Sequence, residues 1–318
     1  MGAFKGGADW RKAMAYRFDK SQDTVQDDVR DIAAELIDKA IAASRRRGDA
    51  ERTVHNLRKS CKKLRGLIRL VRPVFAEYHA ENAAFRAAGR GLSHLRDTAV
   101  LIQTYDHLLE TCDDQVDRAR FAPVRRQLTL QHKQASRQAD LAHRLEEFRE
   151  HFSAARRRVD RWRLSEDGFD AIEPGLARSY KAARRAMAAA SENTTAEAVH
   201  DWRKRVKDHW YHAHLLTPIW PKQMRTSRVV AKDLSELLGL HHDLEVFSVH
   251  LTEHELAGAA DVETLTALAR QRQQAIANEA FLMGARLLAE PTRHMTARWK
   301  SYWHTWRSDE PRDAALAA

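Results

Sequence analysis

Residues 54–73 read VHNLRKSCKKLRGLIRLVRP. Written as an α-helix, the segment sets His55, Arg58, Lys62, Arg65, Arg69 and Arg72 at i, i+3, i+7, i+10, i+14 and i+17, a single stripe at about 100° per residue. Every member is basic. Val54, Leu57, Cys61, Leu64, Ile68 and Val71 form an equally regular apolar stripe, displaced by about 100° around the axis. The pattern predicts a helix with a core side and a cationic side roughly 25 Å long. A solvated helix ordinarily intersperses acids among its Lys and Arg to relieve repulsion. This segment contains none, which points to an anionic partner.

The pattern occurs twice. At a fixed offset of 145, Val54, His55, Arg58, Lys59, Lys62, Leu70 and Pro73 coincide with Val199, His200, Arg203, Lys204, Lys207, Leu215 and Pro218. At an offset of 146, Arg86, Asp97, Val100 and Arg126 meet Lys232, Asp243, Val246 and Arg272. Self-similarity at a fixed spacing marks an internal repeat. Asp49 is the expected N-cap of the first basic helix, and Thr194, in a capping box with Glu197, that of the second. The copies differ, since Trp210 replaces Arg65, His214 replaces Arg69 and His209 replaces Leu64. The second half is therefore expected to hold anions less firmly, or to add stacking.

Around these segments the apolar spacing is helical throughout. Helices are expected over 21–47, ended by Gly48; over 77–110, interrupted or kinked near Gly89 and Gly91; and over 113–158, with Pro123 near the start. Residues 164–175, LSEDGFDAIEPG, break the periodicity and mark the boundary between the halves. Helical spacing resumes over 175–190 and closes with a stretch near 291–306. Residues 1–20 look irregular, with Tyr16 and Phe18 placed to pack against the helices after them. The expected class is all-α, with two copies of a four-helix unit over 16–163 and 174–306 and flexible ends at 1–15 and 307–318.

The chain has 318 residues, with 54 Lys and Arg against 44 Asp and Glu, a formal charge of +10, and 17 His. That balance favours a polyanion: nucleic acid, an anionic membrane surface or a phosphate polymer. No apolar run has the length of a signal peptide's core or a membrane span, so a cytoplasmic location without membrane association is expected. Cys61 and Cys112 form no CxxC pair, which signals neither a disulfide framework nor a thiolate metal site. Cys61 belongs to the apolar stripe as a small core residue.

The paired segments VHNLRKSCKKLR and VHDWRKRVKDHW, followed by HLRDTAV and GLHHDLEV, resemble the CHAD domain, the conserved histidine α-helical domain, over about residues 16–303. The resemblance implies two four-helix bundles related by pseudo-two-fold symmetry, with basic faces lining a central pore or cavity. It also implies binding of inorganic polyphosphate and association with polyphosphate granules. It places the ligand on His55, Arg58, Lys59, Lys62, Arg65, His200, Arg203, Lys204 and Lys207. Arg69 continues the stripe, and Arg86, Arg126, Lys181, Arg185, Lys232 and Arg272 are additions from neighbouring helices. Trp210 and His242 depart from the family's basic pattern. The ExExK strand motif of the triphosphatase domain joined to some members does not occur here. A binding module without catalytic residues, metal or cofactor is therefore expected.

The chemistry agrees with that expectation. A linear polyphosphate presents closely spaced charges without bases or sugars, and suits a long surface of forked Arg and point-charge Lys. A His near a helix start can donate to an oxyanion that raises its pKa. The runner-up is a nucleic-acid-binding protein, with Trp210 and Tyr211 stacking on bases; Trp202 replaces Leu57 and is expected in the core. The third reading is an enzyme, a phosphohydrolase or a zinc hydrolase. His250, Glu253 and His254 match the HxxEH spacing of inverted zinc peptidases, but no evident third ligand follows, and a solvated helix end is expected there. Asp97 and Asp243 are expected to be structural.

Overall fold

The structure, a computed structural model, describes residues 16–309 apart from 47, 93, 113–116, 139, 255 and 257. Among the described residues there are eleven α-helices and no strand: α1 (Val25–Ser44), α2 (Ala50–Leu70), α3 (Tyr78–Gly91), α4 (His94–Thr111), α5 (Ala122–Gln138), α6 (Leu141–Val159), α7 (Glu173–Glu192), α8 (Ala196–Leu215), α9 (Pro221–Glu253), α10 (Ala259–Leu287) and α11 (Thr292–Ser308).

The two basic segments form α2 and α8. Asp49 caps α2 by accepting from the Arg52 N–H at 3.1 Å. The cap of α8 is Thr195, which accepts from the Ala198 N–H, and not Thr194. The Thr194 hydroxyl instead turns back to donate to Ala190 O at the end of α7, so this cap precedes its histidine by five positions rather than six. Both helices stop three residues before a proline, Pro73 and Pro218, each inside a short 3-10 turn, as expected where proline disfavours a helical predecessor.

Other boundaries differ from the periodicity. The helix expected to end at Gly48 stops at Ser44, whose hydroxyl donates to Ile41 O. The stretch 77–110 is two helices, α3 and α4, and the long helix expected over 113–158 is also divided. Asp140 begins a new N-terminus there by accepting from the His143 N–H at 3.0 Å. At the other end α11 continues to Ser308, and Arg307 donates to Lys20 O and Gln22 O. The expected flexible end 1–15 lies outside the described residues, as does 310–318, whereas 307–308, expected to be flexible, belong to α11.

Helices α1, α2, α3 and α6 pack together, as do α7, α8, α9 and α10. The α4–α5 pair touches α2 through α4 and shares a core with α9 and α10, where Leu108, Phe121 and Leu128 meet Leu244, Phe247 and Leu265. The main core draws on both halves, from Ile37 and Leu64 to Leu215 and Trp299. All six residues of the α2 apolar stripe are buried within it. The approach of α7 to the end of α2 requires glycine: a Cβ on Gly175 would stand 1.7 Å from Leu70 O. Tyr16 and Phe18 are buried as expected, Phe18 edge-on to Trp303.

Candidate anion-binding site

Between α2 and α3 lies a cleft of about 190 Å³ lined by Arg58, Cys61, Lys62, Arg65, Phe85, Arg86, Gly89 and Arg90. The spacing of the α2 stripe puts Arg58, Lys62 and Arg65 along one wall, and Arg86 and Arg90, one turn apart, supply the other. Cys61, Phe85 and Gly89 form an apolar floor. Five basic side chains and no carboxylate line the space. Burial pushes the Cys61 thiol up to about 12, so it stays protonated and is a packing group rather than a nucleophile. Burial and the charges of Arg69 and Arg86 lower the pKa of Arg65, whose Nε donates to Asn82 Oδ1 at 3.0 Å.

The far end of the α2 stripe is used by the fold itself. Arg69 donates to Asp208 of α8 in a largely buried ion pair, and Arg72 lies 4.7 Å from the centroid of the Tyr78 ring. Arg69, expected on the ligand stripe from its position, thus has a structural partner within the fold. The sequence carried the signal: Asp208 stands, at the offset of 145, where the first copy has Lys63.

Helices α2 and α8 meet at Gly66 and Tyr211, which are themselves 145 apart. A Cβ on Gly66 would be 2.9 Å from both the Tyr16 hydroxyl and Tyr211 Cβ. His212 Nε2 lies 3.2 Å from Gly66 O, and the Tyr16 hydroxyl donates to Lys63 O at 2.9 Å. Beside this crossing the cations of the two helices act on one another. Lys207 has its pKa lowered by burial and then by Arg203, with Lys59 of α2 adding to the effect while Glu236 and Asp243 oppose it. His214 is pushed down to about 4 by burial and by Arg228, Lys63 and Lys59. Lys59 of α2 and Lys207 of α8 therefore lie close enough to repel one another across the α2–α8 pair.

The two motif histidines are neither solvated nor fully buried. The His200 ring lies 4.0 Å from that of His242. Burial, followed by the charges of His242, Lys204 and Arg203, pushes its pKa down to about 4, so without an anion His200 is neutral. His200 Nδ1, Arg203 Nε and Arg272 Nε are buried without a hydrogen-bond partner among the described residues, which is unusual for polar atoms. Arg203 packs against Gly239 of α9.

The remaining expected residues are dispersed. Lys204 pairs with Asp201 and Lys232 with Glu236, each on its own helix. Arg126 on α5 and Lys181 and Arg185 on α7 are exposed and make no ion pair or hydrogen bond to α2 or α8 among the described residues. Arg90, Lys63 and Arg228 were missed by sequence reasoning. Arg90 could have been found one turn beyond Arg86; nothing in the sequence marks the other two.

The alternative sites take definite forms. The His250 and His254 rings lie 4.2 Å apart, tilted by 47°, and His250 Nε2 lies 2.8 Å from Gln131 Oε1. Among the described residues no group of three His, Cys, Asp or Glu is placed to hold a metal. Trp202 is fully buried against Phe281, as its replacement of Leu57 predicts. The Asp97 side chain lies outside the described residues. Among those residues no helix is long and apolar enough to cross a membrane.

A family model described as the CHAD domain matches residues 30–252. The chain belongs to the CHAD domain family. Its fold is similar to that of a solved structure, the CHAD domain from the plant Ricinus communis, with a TM-score of 0.58 at 17% identity, covering 83% of this chain and 91% of that one. No curated protein matches the chain. With the CHAD fold in place, the duplicated basic helices are its α2 and α8.

Proposed function

We propose that this CHAD protein binds inorganic polyphosphate, acting as a binding module rather than as a catalyst. The observation that carries the reading is the α2–α3 cleft, with Arg58, Lys62, Arg65, Arg86 and Arg90 on its walls and no acid in its lining. Polyphosphate needs repeated cations at short spacing and no base-reading donors. Arg guanidinium groups fork two phosphate oxygens, and the mobile Lys62 head follows the chain. From this cleft the basic surface continues over Lys59 to Lys207 and Arg203 of α8. The N–H at Arg203 Nε would gain from a phosphate oxygen the hydrogen bond it otherwise lacks. His55 and His200 belong to the same surface, and Arg272 joins it through α10. In this reading the protein works in the cytoplasm, in association with polyphosphate granules.

The test is a competition at moderate salt between long-chain polyphosphate and single-stranded or duplex nucleic acid. Polyphosphate should win by at least an order of magnitude, with affinity falling steeply as salt rises through counterion release. Equal binding of nucleic acid would favour the runner-up, and release of orthophosphate would favour an enzyme.

A further inference from the structure

Lys63 lies outside the repeated motif, faces the α2–α8 crossing, and is partly buried. The Tyr16 hydroxyl donates to its backbone carbonyl at 2.9 Å. Its Nζ sits 5.1 Å from the centroid of the Tyr16 ring, against which the His214 ring packs at 5.4 Å. Lys59 lies one turn earlier on α2, Lys39 reaches across from α1, and Arg228 bears on His214 from α9. The nearest acid acting on it, Glu35, is already paired with Lys39. No carboxylate forms an ion pair with Lys63 among the described residues. The counterpart position in the second copy is Asp208, which does have a partner in Arg69.

We propose that Lys63 is a site of covalent acylation, taking its acyl group from an acyl phosphate that the surrounding cations concentrate. Lys59, one turn away on α2, attracts the phosphate end of the reagent, while burial first and then the charges of Lys59 and Lys39 lower the pKa of the Lys63 ammonium and enlarge its neutral, nucleophilic fraction. Neutral Nζ attacks the acyl carbon, a C–N bond forms, and the C–O bond to phosphate breaks. Phosphate leaves with the electron pair, and the amine proton passes to solvent. No electron is gained or lost. The product is an uncharged amide beside Lys59 at the α2–α8 crossing. Acylation would thus reduce the protein's affinity for polyanions, a regulatory consequence that rests on the polyphosphate reading; the acylation itself does not.

The experiment incubates the full chain with acetyl phosphate and follows each lysine by peptide mass spectrometry. Lys63 should be acetylated at least five-fold faster than the exposed Lys133 and Lys222, and Lys59→Gln should slow it. With p-nitrophenyl acetate, a neutral acyl donor, the preference for Lys63 should shrink. A Lys63 rate no higher than those of Lys133 and Lys222, or the same preference with both donors, would overturn the proposal. Polyphosphate titration of Lys63→Gln separates the two claims. Selective acetylation together with unchanged polyphosphate affinity would strike the regulatory consequence and leave the acylation standing.

Discussion

Arg69 of α2 donates to Asp208 of α8 across the seam between the two halves, while the positions equivalent to these two, His214 and Lys63, bring a neutral imidazole and a cation together on the same crossing. One pair is neutralised and the other is not. Burial pushes the Asp208 carboxyl up, and Arg69, Arg205 and Arg65 pull it back. Breaking such a pair strands a buried charge at a cost of about 3–5 kcal/mol, whereas replacing both partners with apolar groups is far less harmful. Asp208→Ala should therefore lower stability by that order in denaturant unfolding, and the double change Arg69→Met, Asp208→Leu should recover most of the loss. Additive losses would show that the pair does not act as a unit.

Gly66 allows α2 and α8 their close approach. In Gly66→Ala the new Cβ meets Tyr211 Cβ and the Tyr16 hydroxyl at 2.9 Å, and overpacking of this kind costs about 1–3 kcal/mol. A fall in Tm is expected. Tyr16→Phe in the same chain should relieve part of it, since it removes the hydroxyl but leaves the backbone-proximal contact with Tyr211.

Stability should depend on pH in two opposed ways. His209 and His212 are pushed down by burial to about 4 and about 3. Between those values and 6.5 the unfolded chain binds more protons, so their contribution is complete above about pH 6.5 and is lost as pH falls toward 4 and 3. Asp28 is raised to about 7 by burial, with Oδ1 accepting from the Asp19 N–H and Oδ2 left without a partner. Its folded form holds the proton, so its contribution is complete below about pH 3.8 and is lost as pH rises through 7. Asp28→Asn should consequently gain stability over wild type at pH 8 and little at pH 4, measured by denaturant midpoints at both values.

His200 offers a reading of ligand arrival. Its pKa near 4 in the free protein should rise on polyphosphate binding, because an adjacent anion favours the charged form. Binding near pH 5 should then take up a proton, and the His200 ring resonances in NMR should titrate at higher pH in the complex. An unmoved pKa would mean that the polymer does not reach α8.

Much of the fold was legible because α2 and α8 obey one spacing: the apolar stripe from Val54 to Val71 is buried in full, and Asp49 and the two prolines act as their chemistry predicts. Breaks within long helical stretches were less legible. Asp140 starts α6 through one side-chain bond that periodicity does not register, and Thr195 displaced Thr194 because neighbouring threonines are equivalent in sequence. Arg58, Lys62 and Arg65, singled out by spacing, and Arg86, singled out by the repeat, line one cleft. The ion pair of Arg69 was not legible because its partner lies 139 residues away, and neither were the surroundings of Lys63, which a tertiary junction rather than a motif supplies.

The central claim is that the α2–α3 cleft, continued over α8, holds polyphosphate, and the most direct measurement is the affinity of long-chain polyphosphate for Arg58→Glu, Lys62→Glu, set beside Arg203→Glu, Lys207→Glu, with folding of each confirmed by circular dichroism. The cleft pair should lose at least ten-fold in affinity and flatten the salt dependence, and should lose more than the α8 pair, since the second copy has Trp210 where the first has the cation Arg65. Unchanged polyphosphate binding in the folded Arg58→Glu, Lys62→Glu protein would contradict the account.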